Sequence, residues 1–211
     1  MKNNYPWYDS QWLSSYVQAK KIINQHQPAL FDKFVNTMDV LKTRTEFQVI
    51  KMKNLIDEST LQEIKELIKE FLSSELEKQE LFKFGRLVVH DHSYFNRMQI
   101  SFTELVCEIA QEPVEPYYNF LSLYNNLGVC EMHMDALFAK WTLDICIEQS
   151  EPWPIYLSQV VLWPEFLKNI GGDWENQIKN DSGIQFSEYN LNPGEGIVFR
   201  AAVNGIIETE Y

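Results

Sequence analysis

Residues 130 to 143, CEMHMDALFAKWTL, place a histidine and a carboxylate two positions apart in a stretch that reads as a strand. Alternate residues of a strand share a face, so His133 and Asp135 project together while Met134 turns away. A neutral imidazole beside a carboxylate is half of a metal site. A second imidazole from a distant strand would complete the two-histidine, one-carboxylate set that leaves three open positions on non-haem Fe(II). The chain has 4 histidines, His26, His90, His92 and His133, and none follows His133. Taken alone, H-x-D is common by chance, and a structural His–Asp pair is its plainer account.

Other donor patterns are weaker. His90-Asp91-His92 would put two imidazoles on one face of an extended segment, yet it reads more simply as a polar loop after a strand. Cys130-x-x-His133 has a zinc-compatible spacing without a second Cys/His pair to accompany it. The same pair could serve nucleophilic catalysis, but nothing specifies an oxyanion hole or an orienting third group. No P-loop, GxGxxG or GxSxG is present, which removes the commonest nucleotide-binding and α/β-hydrolase readings.

These residues need a scaffold, and 211 residues are enough for one domain, 1–211, with a good core. The chain is 45% hydrophobic with 14% aromatics, which suits a thick, aromatic-lined core or pocket. A net charge of −12 without a large basic cluster argues against nucleic acid or any other polyanionic partner. The cysteines, Cys107, Cys130 and Cys146, are odd in number and set in apolar stretches, the pattern of buried free thiols. No apolar run approaches a membrane span and no signal-type h-region opens the chain, so the expected location is the cytoplasm.

The front of the chain, 1–80, has helical periodicity. Trp12, Leu13, Tyr16 and Val17 recur at helical spacing, as do Leu30, Phe31, Phe34, Val35, Met38 and Leu41. After a short strand over 47–52, DESTLQEIKELIKEFLSSELEKQE predicts an amphipathic helix with an apolar stripe from Leu61 to Leu72. Ser59 with Gln62, or Thr60 with Glu63, offers a capping box. From 81 onward strands dominate, at Gly85–Val89, Phe120–Tyr124, Ala136–Ile147, Ile155–Trp163 and Ile197–Arg200. One helix interrupts them around Ser101–Gln111, with Ser101 and Glu104 as its capping box. Helices first and strands after predict an α+β arrangement with a mainly antiparallel core.

The order of features resembles the Fe(II)/2-oxoglutarate-dependent dioxygenases, in their prolyl-4-hydroxylase-like branch. The residues that carry the likeness are Tyr124, Gly128, His133-Met134-Asp135, Trp141–Ile147, Trp153-Pro154-Ile155, Pro193-Gly194-Glu195 and Val198-Phe199-Arg200, spread over most of 47–200. The resemblance implies a double-stranded β-helix, a jelly-roll or cupin-like core, with N-terminal helices packed on it. It implies His133 and Asp135 as ligands to Fe(II), Tyr124 on a carboxylate of the cosubstrate 2-oxoglutarate, and O2-dependent hydroxylation of a small molecule, amino acid or peptide. Pro193–Glu195 would be a structural turn.

The likeness breaks after Arg200, where FRAAVNGIIETEY holds no histidine. By spacing the distal iron ligand falls near Ile206, whose side chain cannot ligate, and Arg200 is too early to replace the basic residue that pairs with the far carboxylate. Three accounts follow: a truncated or frame-shifted sequence, a catalytically inactive oxygenase-fold binding protein, or a substitute ligand such as Glu208 or Glu210.

Overall fold

The structure, a computed structural model, describes residues 10–38, 48–126, 128–133, 139–159, 182–200 and 206–208. It is an α+β chain, and among the described residues every strand pairing is antiparallel.

Two helices open it, α1 (Ser10–His26) and α2 (Phe31–Met38), packed through Tyr16 stacked on Phe34 at 5.7 Å. Strand β1 (Ile50–Met52) leads to α3 (Glu58–Glu70). The N-cap of α3 is Asp57, not the expected Ser59 or Thr60. Its carboxylate accepts from Thr60 N at 2.8 Å and Ser59 Oγ at 2.7 Å. A carboxylate at this position serves an orphan N–H and the positive end of the helix together. The helix stops at Glu70, where Phe71 turns extended, so Leu72 is exposed rather than on the stripe.

Leu61 and Ile64 of α3 are buried against β2 (Arg86–His90) and β3 (Phe120–Tyr124). In the β2–β3 register, Arg86 faces Tyr124, Val88 faces Ser122 and Val89 faces Leu121. Val89, Leu121 and Leu123 pack with α3, which leaves Arg86, Ser122 and Tyr124 on the opposite face of the ribbon. The short α4 (Leu81–Phe84) precedes β2. Between β2 and β3 run α5 (Ser93–Ser101) and α6 (Thr103–Ala110), where the sequence suggested one helix. The expected Ser101 capping box is absent: Ser101 Oγ donates back to Met98 O at 2.7 Å, and Phe102 caps α6 without a side-chain bond.

The remaining strands are β4 (Cys130–His133), β5 (Thr142–Ile145), β6 (Ile155–Ser158), β7 (Phe186–Tyr189), β8 (Gly196–Phe199) and β9 (Ile206–Glu208). They form a three-stranded sheet ordered β1-β8-β5 and a four-stranded sheet ordered β4-β9-β6-β7. Ile155 and Leu157 of β6 meet Ile197 and Phe199 of β8 in one apolar cluster, so the two sheets share a core. Strands β5 and β6 are shorter than expected, and 136–138 and 160–163 of those expectations lie outside the described residues. Neither β7 nor β9 was expected. Among the described residues no helix is long and apolar enough to cross a membrane.

The turn at Asn192–Glu195 ties the layers together. Glu195 N donates to Asn192 O at 2.9 Å, and Gly194 has φ +84°, as a type II turn requires. Gly194 O accepts from Leu55 N and Ile56 N, and its own N–H donates to Cys146 O. The Glu195 carboxylate accepts from Lys51 Nζ at 2.7 Å and Asn192 N at 2.8 Å. The structural role expected of Pro193–Glu195 is thus what the turn performs. Lys51, ahead of the Asn192 contacts, holds the Glu195 pKa below the usual carboxylate value. A depressed folded pKa means stability present above the unfolded pKa and lost as pH falls through the folded one. The urea midpoint should therefore fall more steeply below about pH 5 in the wild type than in Glu195→Gln. Parallel acid limbs in the two proteins would remove this turn from the acid response.

Candidate functional site

Tyr124, the last residue of β3, stands where three separate sequence features converge. Trp153 packs on its ring at 4.8 Å. Gly128 lies against both, and a Cβ there would fall 2.7 Å from Tyr124 Cδ1 and 3.1 Å from Trp153 Cη2. The glycine is needed because two aromatic rings occupy the space a side chain would take. Trp153 Nε1 is buried and has no hydrogen-bond partner among the described residues.

Arg86 joins this group, and sequence reasoning missed it. It sits opposite Tyr124 in the β2–β3 register, and its Nη1 donates to Tyr124 Oη at 2.8 Å and Ser122 Oγ at 3.3 Å. Its Nε donates to Glu80 Oε2. The guanidinium lies 5.2 Å from the Phe84 ring centre and 5.5 Å from those of Phe120 and Tyr124. Burial works against its charge, but the Glu80 hydrogen bond, then Tyr124 and Cys130, outweigh that and hold its pKa above the ordinary value. The signal was a lone arginine opening the apolar run RLVV directly after FKFG.

His133 is half-buried at the end of β4. The Cys130 thiol, 2% exposed, lies 3.6 Å from its Nδ1 and 4.0 Å from Nε2. An irregularity in the β4–β9 register lets residues three apart meet on one side. Because Cys130 also acts on the Arg86 charge, Tyr124, Arg86, Cys130 and His133 form one neighbourhood. Asp135 lies outside the described residues.

An iron ion of the implied kind needs a third protein donor. In the β4–β9 register the residue facing His133 is Ile206, and Glu208 faces Cys130. The position expected from sequence spacing to carry the distal ligand thus does face His133, and isoleucine has no donor atom. Among the described residues no group of three or more His, Cys, Asp or Glu side chains could hold a metal. The residues described do not fit the two-histidine, one-carboxylate set.

The other candidates have structural work. His90 Nδ1 pairs with Glu77 Oε1 at 2.9 Å, while His92 caps α5 through Tyr94 N and packs edge-on to Phe71 and Phe95. They do not converge as a metal pair. Arg200 is buried at the end of β8, 5.2 Å from the ring centre of Trp141, so it braces β8 against the start of β5. All three cysteines are free thiols, and burial, then Asp144 and Glu195, push the Cys146 thiol up to about 11. An open groove of about 370 Å³ between the start of α3 and α5 is lined by residues including Asp57, Tyr94 and Arg97, and by none of Tyr124, Arg86 or His133.

No family model matches the sequence, and no curated protein matches it. Among solved structures, the crystal structure of a Pseudomonas putida prolyl-4-hydroxylase matches with a TM-score of 0.51 and 11% sequence identity. The match covers 77% of this chain and 86% of that one. At that identity the likeness concerns the fold alone: this chain folds in the manner of a prolyl hydroxylase.

Proposed function

We propose that this chain is a protein of the Fe(II)/2-oxoglutarate oxygenase type, built on a double-stranded β-helix, that keeps one side of the dioxygenase site. On this reading His133 and Asp135 hold the metal side and Tyr124 meets a carboxylate of 2-oxoglutarate. The observation that carries it is the convergence of Tyr124, Gly128 and Trp153 beside Cys130 and His133, on a fold shared with a prolyl hydroxylase.

Ile206, which faces His133, cannot supply the distal donor, so on this reading the chain binds its ligand without completing hydroxylation. A bound iron without the distal imidazole keeps fewer protein ligands than the facial triad gives it. The second reading is a working dioxygenase that hydroxylates a small molecule, amino acid or peptide with O2. The fold neighbour supports that reading, and it needs a third donor from outside the described residues.

An anaerobic titration with Fe(II) and 2-oxoglutarate, followed by the visible charge-transfer band, separates these cases. The binding reading expects weak metal uptake that disappears in His133→Ala and in Asp135→Ala. A strong band in the wild type, with succinate formed on admitting O2, selects the working enzyme. Metal uptake unchanged by either substitution removes the site from both readings.

A further inference from the structure

The groove between the start of α3 and α5 holds two opposite charges, Asp57 and Arg97, that do not pair with each other. Tyr94, Arg97 and Met98 reach it from one side of α5, at positions i, i+3 and i+4. Among the described residues the Arg97 guanidinium makes no hydrogen bond or ion pair; it lies 5.9 Å from the centre of the Tyr94 ring. Asp57 caps α3, but the bonds from Thr60 N and Ser59 Oγ both end on Oδ1, so Oδ2 keeps acceptor capacity. The Tyr94 pKa is raised, by burial first and then by Glu63, and it registers both groove charges: Arg97 opposes the rise and Asp57 adds to it. Both charges therefore lie near one hydroxyl. Much of the remaining lining is apolar, from Leu55, Ile56, Met98 and Phe102, which belong to the cluster that joins α3 to β2 and β3.

We propose that this groove binds a free α-amino acid with an apolar side chain, its carboxylate on Arg97 and its ammonium on Asp57. A lone cation would suit any anion, and a lone carboxylate any cation. A groove that offers both, unpaired with each other, suits a ligand that carries both. The apolar lining takes the ligand's side chain out of water. A volume of about 370 Å³ is near the lower end for organic ligands, about 300–1,000 Å³, which admits one amino acid and not a peptide of several residues. The groove lies on the α3 face of the β2–β3 ribbon, whereas Arg86 and Tyr124 lie on the opposite face. It is thus separate from the oxygenase-type site and needs no metal.

Isothermal titration of the full chain with L-leucine and with L-phenylalanine, without added Fe(II), tests this independently of the iron reading. At least one of them should bind. Glycine should bind about tenfold more weakly or worse, because it has no side chain to bury. The amide of the tighter ligand lacks the carboxylate, and its N-acetyl form lacks the ammonium. Each should bind about tenfold more weakly, the scale of one charge-assisted hydrogen bond.

Two substitutions assign each charge to its partner. Arg97→Gln should weaken the amino acid about tenfold and leave the affinity of its amide unchanged. Asp57→Asn should weaken the amino acid likewise and leave the affinity of its N-acetyl form unchanged. Both variants should fold, since Arg97 is exposed and asparagine caps a helix about as well as aspartate. A merely structural role for either residue would weaken the amino acid and its derivatives alike. The proposal is overturned if neither amino acid binds the wild type, or if glycine or either derivative binds as well as the parent. It is also overturned if either variant binds the parent as the wild type does, or weakens parent and derivatives equally.

Discussion

Ile206→His is expected to raise the affinity for Co(II) or Fe(II) by at least about 100-fold, the upper end of what even an outer-shell ligand contact contributes. The reason is register. Directly opposed residues of an antiparallel pair carry their Cβ atoms on one face about 5 Å apart, close enough for two imidazoles to share one ion. His133 and Ile206 are such a pair. A second imidazole there, with Asp135, would restore the set whose absence decides the present reading. Cobalt is the convenient probe because its visible spectrum reports ligand number and type. Adding His133→Ala to the new variant should abolish the gain. If Ile206→His folds and binds no more metal than the wild type, position 206 does not face a metal, and the half-site interpretation of His133 falls with it.

The second large effect is expected at Gly194. Its φ of +84° is a conformation side chains rarely adopt, and a Cβ there would sit 2.7 Å from the Ile56 carbonyl oxygen. The obstacle is backbone, so a rotamer change cannot relieve it. Left-handed strain of about 1–2 kcal/mol, together with overpacking of about 1–3 kcal/mol, puts Gly194→Ala near 3 kcal/mol. For a chain of this size that lowers the melting temperature by roughly 6–12 °C. Calorimetry reads this directly, and a drop under about 2 °C would mean that the turn rearranges at little cost.

The residues that were legible in the sequence and those that were not differ in a physical way. Helix α3 and strands β2, β3 and β8 announced themselves because each has a periodic apolar pattern of its own. Strand β7, FSEY, is half-exposed and carries no such pattern, and β9 is three residues long, so only their pairing partners make them strands. The α5–α6 break is set by Phe102, which ends one helix and caps the next without any side-chain signal. At the site, attention to Tyr124 and to the position near 206 came from the family resemblance. Arg86 drew none, because its role depends on cross-strand register with a residue 38 positions away. A histidine motif draws the eye, whereas an arginine among aliphatic residues looks like a strand end.

Strand β9 has one further consequence, for the order in which the molecule comes together. It is paired on both sides, with β4 and with β6, and among the described pairings it alone connects the His133 strand to the rest of its sheet. The partners Cys130 and Glu208 are 78 positions apart, from 208 minus 130. Contacts this distant are slow to form, because closing the loop costs entropy before pairing returns any stability. During synthesis the helical layer on β2 and β3 can settle early, while β4 waits with an unpaired edge until 206–208 has been made. The His133 side of the protein is therefore the last to become rigid, and a nascent chain halted before that point would present β4 to whatever strand it met first.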